Sequence, residues 1–477
     1  MTTKAKIGLL ERALGKMRGA WQGIAGVEYG EAAASLQPDL PDEDAARLRQ
    51  QMHACLETRG GEVSARARAA ALGRAYLALN EVGRERFLKV LVKDFEVDHD
   101  RVDRAIEKVR TATDNAARQV AEQALRKILQ PPRVRLLTQF NGLPEGVKFL
   151  VDMRADLLDL MRRDPALKPL ESDLKWLLKT WFDVDFLELR QINWATSSAS
   201  VLEKLIAYEA VHAIESWDDL KNRLESDRRC FAYFHPRMPD EPLIFVEVAL
   251  VDGLADNVQD LLDENTPVID PASADTAIFY SISNAQRGLA GITFGNFLIK
   301  RVAEMLSVEF SGLTTFATLS PVPGFRSWLM ERLEESRGEL MTTPDIQALK
   351  AVHGTDGDSA RKLMEILDRS DWADDPAAEM ALRGVLMRLC ADYLLNAGKS
   401  DDDKRAADPV AHFHLSNGAS MERLNWLGDR SARGLDLSAG MMINYRYRLS
   451  EVEANHEAYT STGKRTASSA IRSLLKG

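Results

Sequence analysis

Two histidines, His412 and His414, lie close together near the C-terminal end of the chain. An imidazole has an ordinary pKa of about 6.5, so it can give or take a proton near neutral pH. If the segment were extended, both side chains would point to one face, which would also suit a metal ion. The sequence offers no obvious further ligands, so we predict no metal here. Each histidine could instead be a proton donor, although a histidine that is only packed or solvated is the more common case.

A serine, Ser320, lies at the end of a predicted strand and is followed by Pro321, Pro323 and Gly324. The prolines stop the strand and fix the turn, so the hydroxyl would be presented from a rigid position. Such a serine is more often a turn-capping residue than a reactive one. Nearby Arg326 could contact an anion, although a surface salt bridge is the more common role for an arginine.

The segment from Ser281 to Asn296 contains three glycines between a predicted strand and a predicted helix. Glycines let the backbone approach a ligand, and free N–H groups at the start of a helix suit a phosphate, so a pyrophosphate could bind here. The spacing is neither the Rossmann nor the Walker pattern, which argues against nucleotide-dependent hydride or phosphoryl transfer. Ordinary turn chemistry remains the alternative. The predicted core face of the following helix consists of Phe294, Leu298, Val302 and Met305.

The chain up to about residue 182 is predicted to form a helical bundle. Apolar residues at helical spacing form three stripes, with turns between them and no convincing strand. These stripes are Leu10, Leu14, Met17 and Trp21; Phe87, Leu88, Leu91 and Phe95; and Leu174, Leu177, Leu178 and Trp181. Since the stripes exceed what one small bundle needs, we predict that residues 1–182 mediate self-association into a dimer or tetramer.

From about residue 183 the pattern changes to short β-branched and aromatic runs that alternate with helical ones. Four of these runs predict strands of a mixed sheet: Cys230 to Phe234, Leu243 to Val251, Ala277 to Ile282 and Leu313 to Leu319. The charged run from Lys399 to Asp408 lacks apolar anchors and is predicted to be solvated. The fold class is therefore α+β, with residues 183–477 as the second domain.

Composition restricts the partners and the compartment. The formal net charge of -10 disfavours nucleic acid and anionic membranes, whereas a few local cations could still hold a small anion. No run of eighteen apolar residues and no hydrophobic leader is present, so a cytoplasmic location is expected. The three cysteines, Cys55, Cys230 and Cys390, are too few and too far apart for a disulfide framework or a zinc site.

Five sequence blocks together resemble the malonyl-CoA decarboxylase family, and the likeness extends from about Phe186 through most of the remaining chain. The blocks are FYSIS at 279–283, GNFLIKRV at 295–302, LSPVPGF at 319–325, FHLSNGA at 413–419 and NYRY at 444–447. The resemblance implies a helical N-terminal domain followed by a mixed α/β catalytic domain similar to the N-acetyltransferase fold. It also implies that Ser320 and His414 are the catalytic pair, with Tyr447 as an accessory catalytic residue. The implied CoA-binding loop consists of Ala290, Gly291, Ile292, Thr293, Phe294, Gly295 and Asn296.

The implied reaction converts malonyl-CoA to acetyl-CoA and carbon dioxide. The thioester carbonyl can accept the electron pair that carbon dioxide leaves behind, so we expect no cofactor. Our hypothesis is that Ser320 orients the malonyl group and that His414 protonates the resulting carbanion. Two alternatives remain open at this stage: an acyl-CoA-dependent N-acyltransferase, and a CoA-sensing module without catalysis.

Overall fold

The structure is a computed structural model, and it describes most of the chain. The described residues are 15–24, 36–57, 61–183, 186–292, 298–336, 340–353, 358–400 and 403–476. Part of the implied CoA-binding loop, Thr293 to Asn296, lies outside them, as do Leu10 and Leu14 of the first predicted stripe.

The first part of the described chain is helical, as predicted. Two of the predicted apolar stripes are fully or largely buried: Phe87, Leu88, Leu91 and Phe95 are each at most 2% exposed, and Leu174, Leu177 and Leu178 are buried. Asn80, Asp98 and Asp114 cap helices by accepting backbone N–H groups. The helices are α1 (15–24), α2 (Asp42–Leu56), α3 (Gly61–Ala78), α4 (Glu81–Asp94), α5 (His99–Arg110), α6 (Asn115–Ile128), α7 (Pro132–Asn141), α8 (Gly146–Met161) and α9 (Lys168–Trp181).

The second part contains a mixed eight-stranded sheet and a separate two-stranded one. The large sheet has the order β1-β2-β3-β4-β5-β10-β6, with β9 paired to β10, and the small sheet pairs β7 with β8. The strands are β1 (Glu188–Ile192), β2 (Arg228–His235), β3 (Met238–Val251), β4 (Thr276–Asn284), β5 (Thr315–Thr318), β6 (Ser320–Pro321), β7 (Gly398–Ser400), β8 (Asp403–Ala406), β9 (Ser420–Asn425) and β10 (Met442–Arg446).

Helices flank this sheet and fill the connections between its strands, so the α+β class is confirmed. All four predicted strands are present, as β2 to β5. The helices are α10 (Ala199–Tyr208), α11 (Trp217–Asn222), α12 (Val258–Leu262), α13 (Leu298–Glu309), α14 (Phe325–Ser336), α15 (Thr343–His353), α16 (Ser359–Leu367), α17 (Pro376–Asn396), α18 (Pro409–Ser416), α19 (Ala432–Ser438), α20 (Val452–Thr462) and α21 (Ser469–Ser473).

The predicted core face of α13 is correct at two positions and wrong at a third. Leu298 and Val302 are fully buried, whereas Met305 is 44% exposed. The buried stripe continues to Leu306 instead, because four residues after Val302 returns to the same face more closely than three residues does.

The sheet opens between β4 and β5. These two strands are parallel and pair from Thr276 with Thr315 to Phe279 with Thr318. Beyond that point β4 continues to Asn284. The segment that follows β5 pairs instead with β10, as β6, at Ser320 and Pro321. Because the two strands follow different partners, a cleft forms between them, and Ser320 lies at its edge.

All three cysteines are buried as free thiols. Across the described ranges, no helix combines the length and the apolarity that crossing a membrane requires.

Candidate active site

The cleft between β4 and β6 has a volume of about 350 Å³ and brings Ser320 and His414 together. Ser320 comes from β6, and His414 comes from α18, 94 residues further along the chain. The walls are mostly apolar. The lining residues are Val211, Phe279, Tyr280, Ile282, Asn284, Ser320, Pro321, Pro409, Val410, Phe413 and His414.

A chain of hydrogen bonds connects three of the residues that the sequence singled out. His414 Nε2 lies 3.1 Å from Ser320 Oγ, and His414 Nδ1 lies 2.8 Å from the Tyr447 hydroxyl. Ser320, His414 and Tyr447 are 6%, 2% and 2% exposed. The structure therefore places Ser320, His414 and Tyr447 in one buried relay, which reaches the cleft at Ser320 and His414.

The neighbours of Ser320 determine which imidazole nitrogen carries the proton. Ser320 donates its hydroxyl proton to Thr318 Oγ1 at 2.8 Å, and the Tyr445 N–H donates to the same oxygen at 3.2 Å. Because Ser320 donates its only hydroxyl proton to Thr318, its oxygen can only accept a hydrogen bond from His414. Nε2 of His414 must therefore carry a hydrogen and donate it to Ser320. Nδ1 of the neutral ring is then an acceptor, and the Tyr447 hydroxyl donates to it.

Burial keeps the His414 ring uncharged. The loss of water around it lowers the pKa of His414 from its ordinary value to about 3. Tyr445 stacks on the imidazole with ring centroids 4.5 Å apart, and burial raises the pKa of Tyr447 well above its ordinary value. From the sequence we expected both the charged and the neutral imidazole to be accessible near neutral pH. In the structure the His414 ring is instead a neutral hydrogen-bond donor.

The two histidines do not share a face, because their segment is helical and not extended. Positions two residues apart on a helix point about 200° away from each other. His412 accordingly lies with its Nδ1 2.8 Å from the Tyr459 hydroxyl, away from the relay. Within the ranges that the structure describes, no group of three or more His, Cys, Asp or Glu side chains is arranged to hold a metal.

Asp408 fixes the relative position of the two segments that carry Ser320 and His414. One carboxylate oxygen accepts the N–H groups of Val410 and Ala411, both at 2.9 Å, and so caps α18. The other oxygen accepts the Gly324 N–H at 3.1 Å, in the turn after Ser320. Asp408 is 1% exposed, so the prediction that the charged run is solvated throughout is wrong at this residue.

The first part of the implied CoA-binding loop lies next to β4. Ala290 and Gly291 are exposed and Ile292 is buried. Gly291 has φ +71°, a conformation that favours glycine. Thr293, Phe294, Gly295 and Asn296 lie outside the described residues.

Arg326 has a structural role of the kind expected for most arginines. Its guanidinium donates to the Leu367 carbonyl at 3.1 Å and to Asp368 at 3.0 Å. The anion contact considered for this residue is therefore not what the structure shows.

Two residues of the site carried signals that the sequence analysis did not use. Thr318 and Ser320 alternate along an extended segment, which places their hydroxyls on one face. Asp408 precedes Pro409 at the start of a helix, a pattern typical of an N-cap followed by proline at the first helical position.

The lowered pKa of His414 makes a prediction about stability. Between about pH 6.5 and pH 3 the unfolded chain binds a proton at His414 that the native chain does not, so stability falls with falling pH. Replacing His414 by Gln removes this contribution, which amounts to about 1 kcal/mol between pH 7 and 5.5. We expect the melting temperature of H414Q to decline less over this range than that of the wild type. An equal decline would contradict a neutral His414, and H99Q, at an exposed histidine, is the control.

The Asp408 bridge makes a second prediction. Replacing Asp408 by Ala removes a helix cap and the contact with Gly324, so we expect the unfolding free energy to fall by about 1 to 3 kcal/mol. Turnover should fall as well, because Ser320 and His414 lose their common support. The matched control is D358A, which removes the cap of α16. D358A should lower the melting temperature without lowering turnover, and equal turnover in both variants would refute the role of Asp408.

Comparisons with known proteins agree with this architecture. Two family models match consecutive segments: the malonyl-CoA decarboxylase N-terminal domain at residues 95–182 and the C-terminal domain at residues 185–477. The mitochondrial malonyl-CoA decarboxylase of the goose Anser anser anser is 38% identical over 426 residues, which cover 86% of this chain and 83% of that protein. The mouse mitochondrial protein of the same name is 38% identical over 407 residues, which cover 82% of each chain.

Solved structures give the same result. The crystal structure of malonyl-CoA decarboxylase from Rhodopseudomonas palustris is 41% identical, with a TM-score of 0.81, and the match covers 90% of this chain and 99% of that one. For the protein from Agrobacterium vitis, the identity is 40%, the TM-score 0.80 and the coverage 90% and 99%. Together with the family models, these matches show that the chain belongs to the malonyl-CoA decarboxylase family.

Proposed function

We propose that this chain decarboxylates malonyl-CoA to acetyl-CoA and carbon dioxide in the cleft between β4 and β6, using Ser320, His414 and Tyr447. Membership of the family supports the reaction. The observation that carries the proposal is the buried, uncharged relay at the wall of a cleft whose described lining residues include no Lys, Arg, Asp or Glu.

An uncharged cleft suits the loss of carbon dioxide. A lysine or arginine beside the malonyl carboxylate would stabilise the negative charge before the reaction, whereas decarboxylation moves that charge to the thioester. Removing the carboxylate from water without supplying a cation therefore lowers the barrier relative to a charged pocket. When the substrate binds, the Ser320 hydroxyl can turn from Thr318 to the carboxylate, so that Ser320 and His414 orient the group through neutral hydrogen bonds.

The bond between C2 and the carboxylate carbon breaks, its electron pair moves into the thioester carbonyl, and carbon dioxide leaves. The resulting enolate carbon takes the Nε2 proton of neutral His414, because it is more basic than the imidazolate that is left behind. Tyr447 supports this tautomer by donating to Nδ1, and one proton from solvent restores the ring in each turnover. A donor to the thioester oxygen would contribute on the order of 3 to 4 kcal/mol.

We propose that the catalytic domain resembles the N-acetyltransferase fold and that the CoA thioester lies where β4 and β5 diverge. The support is the parallel pairing of β4 and β5, which ends at Phe279 and Thr318 and leaves the cleft beyond it. The CoA-binding loop, from Ala290 to Asn296, would hold the phosphates outside the same strand end.

The N-acyltransferase alternative is less well supported by the cleft. An amine acceptor arrives as an ammonium ion, which needs a base and favours a carboxylate nearby. The described lining offers only a neutral histidine whose Nε2 already carries a proton. Incubation with malonyl-CoA and no acceptor separates the two activities.

A CoA-sensing module would bind the thioester and raise the melting temperature without turnover.

The relay makes a prediction for the acceptor-free assay. We expect the wild type to release acetyl-CoA and carbon dioxide, and S320A and H414A each to lower kcat by at least about a hundredfold while remaining folded. Y447F should lose turnover because Nδ1 loses its donor. Its matched control is Y445F, which keeps the stacked ring and removes a buried hydroxyl that has no hydrogen-bond partner among the described residues. Near-normal rates in both S320A and H414A would eliminate the assignment.

We also propose that the first domain, residues 1–182, mediates self-association through the α5–α6 hairpin. None of the 14 residues of α6 is buried, although the helix is amphipathic. Val120 is 68% exposed, and Ala117 and Ala124, one turn before and after it, are exposed on the same face. A second copy of this chain could cover this apolar surface, since a helix face of small residues permits close packing against its own copy.

This proposal predicts a change of oligomeric state. Two glutamates in the double variant V120E/A124E would be buried without partners in the interface, so we expect its mass by light scattering to fall to that of the monomer. The control is Q119E, which adds a charge on another face of α6 and should leave the mass unchanged. A monomeric wild type at micromolar concentrations would refute the proposal.

A further inference from the structure

The helical domain and the catalytic domain meet at the strand end where CoA is proposed to bind. The turn at Arg287–Leu289 packs against α8, and Gly288 approaches so closely that a Cβ on it would lie 1.8 Å from the Val151 carbonyl oxygen. Only glycine fits this contact. The beginning of the proposed CoA-binding loop is thus fixed to a helix of the other domain.

A buried arginine of α8 holds the carbonyls of this loop. Arg154, 1% exposed, donates to the Gly288 oxygen at 2.6 Å and to the Ala290 oxygen at 2.9 Å. Glu171 of α9 accepts two further hydrogen bonds from the same guanidinium, at 3.1 and 2.6 Å. These hydrogen bonds fix the backbone at Gly288 and Ala290 to the helical domain. Arg154 is therefore a positioning residue.

A lysine of α9 lies over the next residue of the loop. The Lys175 Nζ is 3.1 Å from the position that a Cβ on Gly291 would occupy, and Gly291 itself is exposed. Lys175 stands one helical turn after Glu171, yet that carboxylate is engaged by Arg154. Within the described ranges, no ion pair joins Lys175 to an acidic side chain. A positive charge over an exposed glycine backbone is a suitable partner for an anion.

We infer that Lys175 binds a phosphate of the CoA moiety, so that the helical domain supplies part of the substrate site of the catalytic domain. The inference rests on the proposed function, since it takes the CoA thioester as the ligand. It assigns the phosphate end of the substrate to a cation of α9 and leaves the acyl end to the uncharged relay.

The test compares substrates with and without the nucleotide. We expect K175Q to raise the KM for malonyl-CoA by about tenfold, because a charge-assisted contact is lost, with little change in kcat. The KM for malonyl-pantetheine, which lacks the nucleotide phosphates, should not change. K175R keeps the charge and should restore most of the affinity. The control is K93Q, which removes an exposed lysine of α4 and should behave as the wild type with both substrates.

Two results would overturn the inference. One is an unchanged KM for malonyl-CoA in K175Q, and the other is an equal loss with both substrates, which would indicate a structural role. Calorimetric titration with CoA distinguishes this inference from the proposed function. If the wild type does not turn over malonyl-CoA but binds CoA more tightly than K175Q does, the proposed reaction fails and the role of Lys175 stands. Equal CoA affinity in the two proteins, or no binding by either, refutes it.

Discussion

The site depends on burying an imidazole without charging it. His414 is enclosed by Ser320, Tyr447 and the stacked ring of Tyr445, and each of these neighbours is held by the sheet. The position of β10 between β5 and β6 is what makes this possible, because it places both tyrosines behind the cleft. A solvated imidazole in the same place would be charged for part of the time at neutral pH, and the direction of its proton would not be fixed.

Much of the fold could be predicted from sequence periodicity, because the strongly patterned segments are also the buried ones. Phe87, Leu88 and Leu91 repeat at helical spacing and are buried on one helix face. The four strand predictions were correct because β2 to β5 are rich in β-branched and aromatic residues. Short elements without such a pattern were not predicted: β6 has only two residues, and a tertiary contact with β10 defines it.

The geometry of the site was less predictable, since it depends on contacts between distant segments. Resemblance brought Ser320, His414 and Tyr447 together, but the one local sign that the histidine segment is a helix, Asp408 followed by Pro409, was not used. Asp408 decides this by capping α18, and its second oxygen reaches a turn 84 residues earlier in the chain. The density of charged residues around Asp408 predicted that this side chain is solvated. The prediction failed because composition does not show which buried backbone N–H groups a carboxylate will accept.

With Lys175 assigned to a CoA phosphate as inferred above, the separation of charge within the substrate would account for a site that is divided between two domains. Malonyl-CoA carries permanent negative charge on its phosphates and a carboxylate that must become carbon dioxide. Cations beside the phosphates favour binding, whereas a cation beside the carboxylate would stabilise the state before the reaction. In this protein Lys175 and the loop held by Arg154 lie outside the strand ends, and the described cleft residues near Ser320 are uncharged. Attraction at one end can therefore hold the thioester while desolvation at the other end promotes the loss of carbon dioxide.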